Sequence, residues 1–210
     1  MIEVFNEANF KQLCDSLAEK DLHLRGIVQQ YGHPPMWNRP ASFESLVHII
    51  LEQQVSLASA KAALEKLRAK IGKITAAKVL TLSDAELRSC YLSRQKAGYI
   101  RGLAETIVTK KLNLKQLGTA ADADIRTTLK KIKGIGDWTV DIYLLFVLQR
   151  SDIFPTGDLA MMNALKQVKQ LPQHITKEEI IQLAEAWRPH RSLATMLFWH
   201  YYIKTRNIRL

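Results

Sequence analysis

Asp158 has the setting in this chain best suited to chemistry. It stands in FPTGDLAMMN, residues 154 to 163, where Pro155 and Gly157 shape a turn that delivers the carboxylate to the start of a new helix. Aspartate is a preferred helix N-cap, so a purely structural use is open. The local sequence supports such a cap as readily as a catalytic carboxylate. About twenty residues earlier lies the segment DADIRTTLKKIKGIGDWTVDIYLLFVL, in which Gly134 and Gly136 mark a tight turn between two helical patterns. Glycines at this spacing permit positive φ and let backbone N–H groups approach a phosphate. The following helix adds a favourable dipole for an anion, and Lys130, Lys131 and Lys133 add charge. A helix end closed by glycine explains the same residues. A nucleotide-binding glycine loop would need a preceding strand and a third glycine; a helical pattern precedes, and Thr139 holds the third position.

Other residues carry two readings each. Trp138 could be a ligand platform or pack in a core. Asp141 is the one charge in the apolar run from Val140 to Leu148, and a dipole contact in the helix's first turn would account for it. The six histidines form no metal-binding helix motif, so no catalytic metal is expected.

The elements that must position these groups are helices. Phe43, Leu46, Val47, Ile50 and Leu51 recur at the spacing of one helix face. Further stripes run through Leu64 and Leu67, through Tyr99, Leu103 and Ile107, and through Ile125, Leu129 and Ile132. Ser83 with Glu86 and Thr176 with Glu179 fit the capping box. With no strand alternation or hairpin signal, the fold class is all-α, with about nine or ten helices. Breaks at GHPPMWNRP (32 to 40) and FPTGD (154 to 158) divide the chain. Residues 37–154 are expected to form a central helical subdomain carrying a helix-hairpin-helix at about 122–149. Residues 1–36 and 155–210 are expected to form a second subdomain, with a binding cleft between the two.

Composition narrows the partners. The 210 residues are 47% hydrophobic, enough for a substantial core, and carry a formal charge of +10, which attracts polyanions. No apolar run approaches the roughly 18 to 20 residues of a membrane span, and the N-terminus lacks signal-peptide character. A soluble, intracellular, monomeric protein without a membrane partner is expected. Cys14 and Cys90 are too few for a disulfide framework or a four-cysteine metal site.

Five ordered blocks then carry a family resemblance: FESLVHIILEQQVSLASAKAALEKL (43 to 67), LSRQKAGYIRGLA (92 to 104), LKKIKGIGDWTVDIYLL (129 to 145), FPTGDLAM (154 to 161) and WRPHRSLATMLFW (187 to 199). Together the chain resembles the AlkA-type 3-methyladenine DNA glycosylases of the helix-hairpin-helix superfamily, in a compact form without their N-terminal β domain. The resemblance implies that damaged double-stranded DNA is the partner, gripped at Gly134, Gly136, Thr139, Lys130 and Lys133 while a nucleotide is flipped out. It implies that Asp158 acts on the glycosidic bond of an alkylated purine and leaves an abasic site. Backbone-cutting relatives carry a lysine two positions past the last hairpin glycine; here that position is Trp138, so no lyase activity is expected. An iron-sulfur cluster is not expected, since no cysteine follows Cys90.

The resemblance further gives Trp138, Asp141, Trp187 and His190 to the base pocket, and Gln53, Gln54 and Ser56 to a second DNA-facing turn. It gives the residue filling the gap in the duplex to Arg94, or to Leu92 in its place. It offers a structural sodium or potassium ion at the carbonyls of Lys130, Ile132 and Ile135. No other cofactor is implied. Another glycosylase specificity and a noncatalytic helix-hairpin-helix DNA-binding protein are the competing functions; an α-helical RNA-binding module is a third.

Overall fold

The structure, a computed structural model, describes residues 3 to 208. Among them are thirteen α-helices and one 3-10 turn, with no strand beyond an isolated antiparallel bridge of Val4 and Arg150. The fold is all-α, and the expected nine or ten helices become thirteen because several elements are too short to show periodicity. The chain forms two compact units, one of residues up to Asn38 together with those from Leu144 onward, the other of Arg39–Tyr143.

The terminal unit begins with α1 (Phe10–Lys20) and α2 (Leu22–Tyr31). The stretch after Tyr31 is free of helix as far as Ser42, as its prolines require. The central unit contains α3 (Phe43–Glu52), α4 (Leu57–Ile71), α5 (Ala76–Leu80), α6 (Asp84–Ser89), α7 (Arg94–Val108), α8 (Leu114–Leu117) and α9 (Asp122–Leu129), and most of α10 (Asp137–Phe146). Helix α7 packs against α3, α5 and α6, and Ile100 and Leu103 on its inner face are fully buried. The stripe of α3 is buried as its spacing implies, Leu46, Val47 and Ile50 completely. Helix starts follow their side chains: Ser42, Ser56, Thr75 and Ser93 each accept a backbone N–H of the first turn, and Ser83 with Glu86 closes the expected capping box.

The border after Tyr143 lies inside α10. From there the chain is tied to the N-terminal segment: Phe5 N–H donates to the Gln149 carbonyl at 3.0 Å and Ser151 N–H to that of Glu3 at 3.1 Å. The terminal unit continues with α11 (Leu159–Val168), α12 (Lys177–Ala184), a 3-10 turn (Glu185–Trp187) and α13 (Arg191–Thr205). Thr176 and Glu179 form the second expected capping box. Helix α13 is its centre, packed by α1, α2 and α11, and every residue from Ser192 to His200 is buried. Most of these side chains are apolar, as an interior position demands, with Ser192, Thr195 and His200 as buried polar members. At its start, a cis peptide joins Arg188 and Pro189.

Candidate active site

In the terminal unit, Asp158 is the N-cap of α11. The turn before it closes through Asp158 N–H to the Pro155 carbonyl at 2.9 Å. Its Oδ1 accepts the Met161 N–H at 2.8 Å and the indole N–H of Trp199 at 2.9 Å. Capping and catalysis, alternatives in the sequence, are compatible in the structure: the cap fixes a half-buried carboxylate at the positive end of a helix dipole. The next residue, Leu159, is 79% exposed, so the start of α11 faces outward from its unit's core. Trp199 is nearly buried and its ring lies 5.3 Å from that of Phe146, which in turn meets Trp37 edge-on at 6.4 Å. Trp199 and Trp37 had no local signal in the sequence, since each is simply an aromatic in an apolar or proline-rich stretch.

Trp187 and His190 have different settings within the same unit. Trp187 is 2% exposed, packs between Phe154 and Phe198, and donates its indole N–H to Asp21 at 2.8 Å. This is a core environment, in place of the pocket wall that the resemblance gives to Trp187. His190 is half-buried at the N-cap of α13, with no side-chain cap hydrogen bond and with a buried Nδ1 that has no hydrogen-bond partner. Arg191 is fastened to Asp152 by two of its nitrogens, at 2.7 and 3.0 Å.

In the central unit the two glycines differ. Gly134 has φ +91, and a Cβ built there would stand 2.1 Å from the Tyr99 ring, so glycine is required by both backbone and space. Gly136 does not use the left-handed region, and a Cβ there would meet nothing within 4 Å. Its side is open to a close-approaching group. Gln53 braces the turn, its Nε2 donating to the Gly134 carbonyl at 2.8 Å and to the Thr139 hydroxyl at 2.9 Å. Thr139 is 2% exposed. Both residues, expected to face DNA, also fix the hairpin, Gln53 half-buried and Thr139 buried, because α3 ends against it.

Charge in the hairpin is organised from α9 to α10. Arg126 donates to Asp137 at 2.8 Å and also to Asp141, while Lys130 donates to Asp137 at 2.7 Å. The hydrogen bonds from Lys130 and then Arg126 hold the Asp137 carboxyl below the usual carboxylate range. Burial works against the charge on Arg126, but Asp141 and Asp137 outweigh it and push its pKa up. Asp141 is buried and engaged by Arg126, a tie between the two hairpin helices. Lys131 and Lys133 are exposed on the turn, and Trp138 is half-buried.

The second turn reads differently residue by residue. Gln54 is exposed at φ 55, and Ser56 caps α4 through the Ser59 N–H at 3.2 Å. Lys96 donates to the Leu51 carbonyl at 2.6 Å, closing the end of α3, and burial lowers its pKa. Leu92 is buried, which removes it as a gap-filling side chain, whereas Arg94 is exposed. Beside them Tyr91, unremarked in the sequence, is 64% exposed at φ 65 with Lys66 Nζ 5.6 Å from its ring. Both cysteines are free and buried, and burial pushes the Cys14 thiol up to about 12. Among the described residues there is no cluster of His, Cys, Asp or Glu that could hold a metal, and no helix long and apolar enough to cross a membrane.

A glycine hairpin followed by a capped carboxylate is a combination that comparisons with known proteins can place. The Bacillus subtilis (strain 168) protein YfjP is 29% identical over 184 residues, covering 84% of this chain and 64% of YfjP, so the chain spans just under two thirds of that relative. DNA-3-methyladenine glycosylase 1 of Schizosaccharomyces pombe is 25% identical over 203 residues, covering 90% of this chain and 89% of the relative. Among solved structures, a DNA-3-methyladenine glycosidase from Bacillus halodurans has a TM-score of 0.76 at 26% identity, covering 93% of this chain and 91% of its own. The pattern of the HhH-GPD superfamily matches residues 47–189, a stretch that contains the braced hairpin and Asp158 together. With that stretch amounting to most of the sequence, the chain belongs to the HhH-GPD superfamily of base excision DNA repair proteins.

Proposed function

We propose that the protein is a monofunctional DNA glycosylase that hydrolyses the N-glycosidic bond of alkylated purines, such as 3-methyladenine or 7-methylguanine, in duplex DNA. The observation that carries this reading is the Asp158 carboxylate, held on Oδ1 by the Met161 N–H and the Trp199 indole at the start of α11. The names of the S. pombe and B. halodurans relatives support the substrate class.

The chemistry follows from charge. An alkylated purine carries positive charge and leaves as a neutral base, the bonding electrons going to its ring nitrogen. The sugar then becomes oxocarbenium-like, and a fixed carboxylate stabilises that cation without reorganising. Water adds to the anomeric carbon, its proton is lost to solvent or the carboxylate, and an abasic site remains. Flipping the nucleotide costs a few kcal/mol. The open side of Gly136, the N-terminus of α10 and the exposed Lys133 are suited to gripping the backbone without reading sequence. Trp138, standing where an amine nucleophile would be needed for strand cleavage, carries an indole face suited to a cationic base. His190, in the terminal unit with Asp158, is a further side chain suited to contact a nucleotide. Gln54 in the second turn and Arg94 at the start of α7 are exposed side chains available to the duplex. The hairpin carbonyls of Lys130, Ile132 and Ile135 would hold a sodium or potassium ion; Ile132's accepts the Ile135 N–H at 3.1 Å and keeps a second lone pair for it. Such an ion would stiffen the turn and take no part in the reaction. A monomer suffices for all of this.

Incubation with randomly methylated duplex DNA, followed by identification of the released bases, tests the reading. Release of 3-methyladenine or 7-methylguanine, with abasic sites and no strand cleavage, is the expected result. Tight binding without any released base would leave a DNA-binding protein only.

A further inference from the structure

We propose that Trp199 is a positioning residue for Asp158, orienting the carboxylate through its indole N–H. This rests on the reading of Asp158 as the reacting carboxylate and adds a residue 41 positions away, on a different helix, to the machinery.

Asp158 needs only the Met161 N–H to cap α11. The Trp199 N–H, 2.9 Å from the same Oδ1, is a second donor that capping does not call for. The two donors come from different helices, one from the backbone of α11 and one from the interior of α13. A single donor leaves a carboxylate free to swing about its hydrogen bond, whereas two donors converging on one oxygen fix its place and the tilt of its plane. Trp199 is suited to this because its N–H is a donor only and cannot exchange roles. Its ring is also immobilised: it is 8% exposed and packs in a tilted arrangement against Phe146, with centroids 5.3 Å apart and an interplanar angle of 41°. Phe146 is in turn met by Trp37 at 66°. The carboxylate is thus referenced to a packed aromatic row, the kind of support that holds a reacting group to within fractions of an ångström. A neutral donor does this without cancelling the negative charge that an oxocarbenium-like sugar requires.

Single-turnover release of 7-methylguanine from dimethyl sulfate-treated duplex DNA, measured beside DNA affinity and melting temperature, tests the assignment. Trp199→Phe keeps the ring against Phe146 and removes the N–H; it should slow release about tenfold while leaving affinity unchanged within about twofold. Replacing Trp199 with benzothienylalanine, in which sulfur takes the place of N–H, preserves the packing should Phe fail to fold, and should show the same loss. Trp199→His, which restores a ring N–H, should recover part of the rate. In an Asp158→Asn background, removing the N–H should change the residual rate by less than about twofold, because its effect is routed through the carboxylate. A full rate in a folded N–H-deficient variant, or an equal loss in both backgrounds, would overturn the proposal. Undiminished release by Asp158→Asn itself would instead overturn the reading on which it rests.

Discussion

The two hairpin glycines have different work at the residue scale. Gly134→Ala would force a Cβ into the Tyr99 ring at a φ that L-residues avoid, and a loss of about 2–4 kcal/mol is expected from denaturant unfolding. Gly136→Ala has space and an ordinary φ, so its stability should stay within about 0.5 kcal/mol while DNA affinity falls, since the added methyl occupies the open side. The sequence made Asp158 and the glycine turn legible because proline, glycine and aspartate impose local geometry wherever they stand. It made Trp199, Tyr91 and the brace from Gln53 to Thr139 illegible as to role, because each depends on a partner dozens of residues away. Trp187 shows the converse: its residue type suits a ligand platform, yet burial and Asp21 assign it to the core.

Among elements, Asp21 is the best example of a single side chain joining several. It caps α2 through the His23 and Leu24 N–H groups and accepts from Lys169 at 2.5 Å and from the Trp187 indole. Burial alone would raise its pKa, but the hydrogen bonds of Lys169 and Trp187, the Lys169 charge and the Leu24 N–H together lower it. A depressed carboxyl pKa stabilises the fold above the unfolded value of about 3.9 and ceases to do so as pH falls through the folded value. Asp21→Ala should therefore cost about 3 kcal/mol near neutrality. The gap to the wild type should narrow in acid, where urea titrations at pH 7 and below would follow it. Helices with long amphipathic faces, such as α3, were legible from periodicity, as were both capping boxes. Helices α5, α6 and α8, of five, six and four residues, are too short for a period to emerge. Helix α13 hides its orientation for the opposite reason, its apolar residues being spread over every side.

Over the whole molecule the charge of +10 makes binding to DNA a salt-dependent property. Lys133, exposed on the hairpin turn, should contribute about one released counterion. Lys133→Ala is expected to make the slope of log Kobs against log salt shallower by about 0.9 and to weaken all duplex sequences alike. The all-α class was legible from the absence of alternation. The exact run of each unit was not, since the pairing of residues 3 to 5 with 149 to 151 that anchors the chain beyond α10 is a backbone contact without side-chain signature. Composition spoke to a polyanionic partner, and the ordered blocks to repair of alkylated bases; pocket shape, built from scattered residues, fixes which base is preferred.

The reacting role of Asp158 is tested most directly by comparing wild type and Asp158→Asn in single-turnover base release from methylated duplex DNA, with affinity measured in parallel. The amide keeps an acceptor for Met161 and Trp199 but lacks the charge proposed to stabilise the sugar cation. A fall of at least about 100-fold in release with affinity retained is the expected result. Release at the wild-type rate would contradict it.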